Sequence, residues 1–287
     1  MSGFIVDLRL IPVSRKEASH DMSSSKQTLA IYLIIGLVIG FGLGFFTPGL
    51  IPEPQSNLVA RIQARGTLVV GTEAGYPPFE MYNTTTSTYY GFDIDICQLI
   101  ADELGVDLEI QDMAFDTLVA ACKAGTVDML AAAMFLTSER AKQLAFSEPY
   151  YISNEVMVVN GSNPLEIESL ADLEGLDVGV QTGTVEADEI QAEIDGGTAI
   201  IAHTYASVAQ MFIDLNSGAL DAVYIDEPVF EVYSSIYVFR TIYKVSAPAY
   251  VFYCRWSNPD LLSVIDGVIA DANADGTMST LVETWFG

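Results

Sequence analysis

Three segments set a charged side chain where an apolar strand gives way to a turn or a helix, and each could contact a small polar molecule. In AAAMFLTSERAKQLAF a buried strand ends and a helix opens at Thr137, with Arg140 in its first turn. A guanidinium and unpaired helix-start N–H groups would converge there on a docking anion. Taken alone, Arg140 reads equally as a surface residue beside Glu139. In GALDAVYIDEPVF the strand Leu220 to Ile225 delivers Asp226 to its carboxyl end. That aspartate suits either the N-cap of the next helix or an acceptor for an ammonium. In GTLVVGTEAGYPPFE the strand over 67–71 is followed by Glu73 and Tyr76, with Pro77 and Pro78 stiffening the chain that presents them. A carboxylate beside a rigid aromatic suits a ligand wall, and open α/β sheets put ligand crevices at the carboxyl ends of their strands. An ordinary surface turn is the competing reading. A fourth segment, GVQTGTVEAD, places Thr182, Gly183 and Thr184 between strand and helix, where glycine permits close backbone approach or serves only the turn.

The elements that must position these groups follow from periodicity. Strands are expected near 67–71, 107–111, 127–133, 156–160, 177–181, 199–203, 221–225 and 250–254. Helices fit 57–65, 93–104, 116–124, 138–144, 185–194, 206–217, 227–234, 258–274 and 277–284. Phe92, Ile96, Leu99, Ile100 and Leu104, for example, recur at helical spacing. Alternation of this kind predicts an α/β fold with largely parallel sheets.

The chain of 287 residues is 51% hydrophobic, which leaves ample material for cores. Leu29 to Phe46 is an uncharged apolar run long enough to cross a bilayer as a helix. Its basic flank, Arg9, Arg15, Lys16 and Lys26, is expected to stay cytoplasmic. TPGLIPEP lacks a small-residue cleavage site, so a transmembrane anchor or uncleaved signal over 29–50 is expected, between a cytoplasmic tail at 1–28 and a proline-rich tether at 51–56. Of the formal charge of −26, the first 28 residues contribute +1 and the remainder −27. So acidic an outer domain argues against nucleic acid as a partner, because phosphate binding needs clustered Lys and Arg. Cys97, Cys122 and Cys254 read as buried structural thiols, a Cys97–Cys122 disulfide being the alternative. No metal-ligand spacing is present, and no cofactor is expected.

The segments GTEAGYPPFE, YYGFDIDIC, TSERAKQLAFSEPYY, LADLEGLDVGVQTGT, DAVYIDEP and ADGTMSTLVETWFG occur in the order seen in polar-amino-acid-binding proteins of ABC importers, solute-binding protein family 3. From about residue 57 onward the chain resembles the type II periplasmic-binding-protein fold. The resemblance implies two α/β lobes, 57–149 plus 251–287 and 155–246, with hinge segments at 150–154 and 247–250 and a ligand enclosed by hinge closure. It implies that Arg140 binds the α-carboxylate of an amino acid and Asp226 its α-ammonium. Tyr76 and Phe115, from MAFDTL, would flank the side chain and Glu73 would meet its far end. Thr182, Thr184 and neighbouring backbone would close from the second lobe. Where the family carries Gly-Met-Thr or Ser-x-Ser, this chain has Ala133, Met134 and Phe135. A carboxylate-holding hydroxyl is thereby missing, backbone N–H groups would have to serve, and Phe135 narrows the pocket or adds an aromatic wall. Tyr250-Val251 replaces the usual Tyr-Gly at the second crossover.

The implied function is capture of a polar or cationic amino acid outside the cytoplasm and its delivery to an ABC permease, with the N-terminal helix holding the protein to the cell membrane. A ligand-sensing module acting through a partner receptor is one alternative. A dehydratase-like enzyme is another, and it would have to rely on Glu186 or Glu73 as its acid, with His20 and His203 as the only histidines.

Overall fold

The computed structural model describes residues 57–287. The segment Thr67–Thr72 (β1) is buried from its second residue onward, as a strand covered on both faces must be. It pairs in parallel with Asp107–Asp112 (β4) and Met129–Leu130 (β5). Tyr253–Cys254 (β12) then joins β5 and Ala145–Phe146 (β6) antiparallel, completing a sheet of order β4-β1-β5-β12-β6. A small hairpin of Met81–Asn83 (β2) and Thr88–Tyr90 (β3) stands apart.

Helices Leu58–Arg65 (α1), Phe92–Leu104 (α2), Leu118–Ala124 (α3), Ser138–Ala141 (α4), Pro259–Asp275 (α8) and Thr277–Phe286 (α9) belong with this sheet. On α2 the buried stripe Phe92, Ile96, Ile100 and Leu104 faces the core. Each such side chain contributes about 1.5–3 kcal/mol by leaving water.

The second sheet, β11-β7-β10-β8-β9, is built from Asn154–Asn160 (β7), Asp177–Gln181 (β8), Ile201–Tyr205 (β9), Ala222–Asp226 (β10) and Phe239–Ser246 (β11). Its helices are Val185–Asp195 (α5), Val208–Ser217 (α6) and Glu227–Ser234 (α7). Met157, Val159, Val178, Val180 and Tyr224 form a core on one face of this sheet.

The expectation of largely parallel sheets needs correction. β7 runs antiparallel to both β10 and β11, and β12 is antiparallel to both its neighbours. Strand β11 escaped sequence reading because FRTIYKVS carries Arg240 and Lys244 and is mostly half-buried, with no apolar run to mark it. The strands expected over 127–133 and 250–254 shrink to two residues each. Beyond β5 the chain leaves the ladder, and Ala133 takes φ 45°.

The polypeptide passes between the sheets twice, from β6 to β7 and from β11 to β12. Tyr250, on the second passage, forms backbone bridges with both Phe135 and Tyr151. Tyr150 stacks on Phe252 at 4.2 Å between ring centroids, so the two passages are packed together. All three cysteines are buried and free, against the alternative of a Cys97–Cys122 disulfide. Burial pushes the Cys122 and Cys254 thiols up to about 12, far from a reactive thiolate. Among the described residues no helix is long and apolar enough to cross a membrane. The apolar segment 29–50 lies outside them.

Candidate functional site

The carboxyl ends of β1 and β10 face one another across a small cavity. Tyr76, Phe115, Ala133, Phe135 and Arg140 line it from the first sheet's side, and Gln181, Thr184, Val185, Glu186 and Asp226 line it from the second. It encloses about 10 Å³ for water centres, room for about one water molecule. The cleft is shut upon itself by three direct contacts. Tyr76 Oη donates to Asp226 Oδ2 at 2.6 Å, Gln181 Nε2 donates to Glu73 Oε2 at 3.1 Å, and Arg140 Nη2 donates to the Gly183 carbonyl at 3.2 Å. A ligand of amino-acid size therefore enters only when the two sides separate, as in hinge closure.

Arg140 stands in the short α4, whose N-cap Thr137 accepts from the Arg140 N–H through its hydroxyl. That hydrogen bond occupies a helix-start donor that the sequence left free for an anion. The guanidinium also donates to the Phe135 carbonyl at 3.0 Å and lies 5.4 Å from the Phe115 ring centroid, within cation–π range. Burial lowers its pKa, opposed by Tyr253, Glu186, Asp188 and Asp226. Arginine stays charged under such conditions. Arg140 also lines a wider surface cleft of about 570 Å³ with Asp116, Lys123, Gly183 and Asp188.

Asp226 occupies the N-cap position of α7 by backbone, yet its side chain makes no capping hydrogen bond. It turns into the cavity instead, so the N-cap reading does not hold for the carboxyl group. Burial pushes its pKa up to about 7, against the lowering effect of the Tyr76 hydrogen bond. Glu186, two residues past the N-cap Thr184, is held well above the usual carboxylate range by burial and then by Asp226.

Glu73 sits behind the cavity rather than on its lining, half-buried and held by Gln181. Burial lifts its pKa to about 7, with Asp112 adding to the rise. Thr182 likewise lies off the lining, its N–H given to the Tyr205 carbonyl. The Thr184 hydroxyl donates to the Gln181 carbonyl at 2.9 Å and accepts from the Ala187 N–H. The Ala133 N–H, a candidate for holding a carboxylate, is instead given to the buried Asp93 at 2.9 Å. Asp93 Oδ2 also accepts from Tyr150 Oη at 2.8 Å, tying the left-handed turn at Ala133 to the passage between the sheets.

Sequence reasoning missed Gln181 and Val185 on the lining and Glu186 as a ligand-facing group. Gln181 closes β8, so the rule that strand ends face the crevice could have found it. Glu186 gave no such signal, because an acid in a first helical turn is ordinary there. The lining offers cationic and acidic groups and aromatic walls. Among the described residues no His, Cys, Asp and Glu cluster is arranged to hold a metal ion.

Two α/β lobes closing over a small charged cavity define a solute-binding protein of the periplasmic type. The chain belongs to the bacterial extracellular solute-binding proteins, family 3, whose sequence profile matches residues 68–287. It is 28% identical over 267 residues to the L-cystine-binding protein TcyJ of Escherichia coli (strain K12), covering 91% of this chain and 96% of the relative. An ancestral arginine-binding protein bound to arginine superposes with a TM-score of 0.73 at 34% identity, over 78% of this chain and 99% of that one. The ancestral amino acid-binding protein AncCDT-1, a precursor of cyclohexadienyl dehydratase, gives a TM-score of 0.74 at 31% identity, over 81% and all of the two chains.

Proposed function

We propose that this protein captures a polar or cationic amino acid between its lobes outside the cytoplasm and delivers it to an ABC permease. The observation that carries the reading is a pair of opposite charges, Arg140 and Asp226, brought to one cavity from opposite lobes. Arg140 would take the α-carboxylate and Asp226 the α-ammonium, while Tyr76 and Phe115 flank the side chain over a floor of Ala133 and Phe135. Glu73 would meet the far end of that side chain once the ligand has displaced Gln181. Thr184 and the backbone at Thr182 would close from the second lobe. Lobes at 57–149 plus 251–287 and at 155–246, moving about 150–154 and 247–250, fit the two chain passages. The relatives that bind arginine and cystine support an amino acid as ligand.

The test is a thermal-shift screen of the full-length chain against the common amino acids and L-cystine. A ligand at a hundred times its Kd should add about 2.7 kcal/mol of stability. No upward shift with any of them would remove the reading. The apolar segment 29–50 would hold the protein to the membrane, and a mature N-terminus near residue 50 by mass spectrometry would refute that attachment.

A further inference from the structure

Two acids on the inner cavity each have an oxygen to spare. Asp226 and Glu186 are both 2% exposed and both line the cavity. Asp226 Oδ2 accepts from Tyr76, whereas Asp226 Oδ1 and Glu186 Oε1 have no donor. Both carboxyls line one cavity of about 10 Å³, and a hydrogen bond between them can form only when one of them carries a proton. Two carboxyls buried on so small a cavity resist ionising together.

The groups facing the pair from the surrounding elements are mostly acidic or phenolic. They are Tyr76 from the turn after β1, Glu80 before the hairpin, Glu155 on β7 and Tyr250 on the second passage. The cation on this wall is Arg140, and its guanidinium donors go to the Phe135 and Gly183 carbonyls. The proton therefore stands where a positive charge is called for.

We propose that Asp226 and Glu186 share one proton in the closed, ligand-free cleft and release it when a ligand ammonium takes its place, which makes Glu186 a second ammonium-binding residue. This rests on the amino-acid reading above. The ammonium enters with its three protons intact, the O–H bond of the carboxyl pair breaks, and the proton passes to the buffer. The pair gains one negative charge and the ligand supplies one positive charge.

The experiment is calorimetric titration of the full-length protein with L-arginine in phosphate and in Tris, whose different ionisation heats count the protons released. At pH 6.5 the wild type should release about one proton per ligand, and where release is complete Kd should tighten about tenfold per pH unit. The desamino analogue 5-guanidinopentanoate keeps the carboxylate and guanidinium but lacks the ammonium, so it should release less than L-arginine by about that one proton. This comparison removes any proton contributed by Glu73. Glu186→Gln replaces the shared proton with a permanent amide donor, so L-arginine should bind more weakly and lose the extra release, with a flatter dependence of Kd on pH.

Equal release by L-arginine and the desamino analogue overturns the inference, and so does a Glu186→Gln protein that still shows the extra proton. If that variant does not fold, the wild-type comparison of the two ligands decides alone. Binding with no ammonium-linked proton sinks this inference and leaves the function standing. If L-arginine, L-lysine, L-histidine, L-glutamine and L-cystine all fail to bind, the reading of the site falls and this inference with it.

Discussion

Arg140→Ala is the perturbation whose effect can be worked furthest from the structure. In the closed cleft the guanidinium donates to two carbonyls, those of Phe135 and Gly183. The Phe135 carbonyl keeps a second donor, Tyr253 Oη at 2.7 Å, so removing the arginine leaves only the Gly183 carbonyl short of that partner. The cost to folding should therefore stay near about 1 kcal/mol. Binding loses far more, because a ligand carboxylate enclosed in the cleft would face no cation. Truncating one side of a buried charged pair costs about 2–5 kcal/mol, or about 30- to 5,000-fold in Kd. The assay is calorimetry with L-arginine and with agmatine, which has the same side chain and amine but no carboxylate. Arg140→Ala should weaken L-arginine by that factor and leave agmatine nearly unchanged. Arg140→Lys should fall between, since it keeps the charge but not the fork. A loss below threefold for L-arginine, or an equal loss for agmatine, would refute the placement of the carboxylate.

Three further expectations concern protons and packing. With its pKa raised to about 7, Glu73 is mostly neutral at pH 5.5 and charged at pH 8.5. The preference for L-arginine over L-glutamine should grow across that range in wild type and stay flat in Glu73→Gln, and equal slopes in the two proteins would exclude the role. Asp93 and Glu155 are lifted by burial to about 7 and about 8. Carboxyls raised above their unfolded values are most compatible with folding at low pH and lose that stability as pH climbs through the folded pKa. The ligand-free melting temperature should accordingly fall by a few degrees between pH 5 and pH 8.5, and scanning calorimetry showing a rise would contradict the sign. Gly91 adopts φ +141°, and a Cβ there would stand 2.1 Å from the Phe79 carbonyl oxygen. Gly91→Ala should destabilise by about 3 kcal/mol or more, and a denaturant midpoint matching wild type would show that the turn into α2 can relax.

How far the sequence could be read depended on what each residue had nearby in the chain. Arg140 and Asp226 were legible because each follows an apolar strand, and strand ends point at a crevice whatever their partners are. Glu186 was not, since its significance comes from Asp226, forty positions away. Asp93 reads as a favourable first-turn acid on α2, yet its carboxylate holds the Ala133 N–H and the Tyr150 hydroxyl. Strand β11 was hidden altogether because its stability comes from pairing with β7 rather than from an apolar pattern of its own. Helix boundaries fared better, several being closed by a glycine just past the last turn, as at Gly105 and Gly125.

Tyr250 touches Phe135 on the cavity floor, at 4.8 Å between rings, and Tyr151 on the first passage, at 5.7 Å. On the proposed reading, the same ring abuts both the floor of the solute cavity and the joint about which the lobes would turn. Selectivity and the rate of opening would then be unable to drift independently in descendants of this sequence. A change at Phe135 that admitted a bulkier solute would also disturb that joint, and selection for a new cargo would have to accept or compensate an altered residence time.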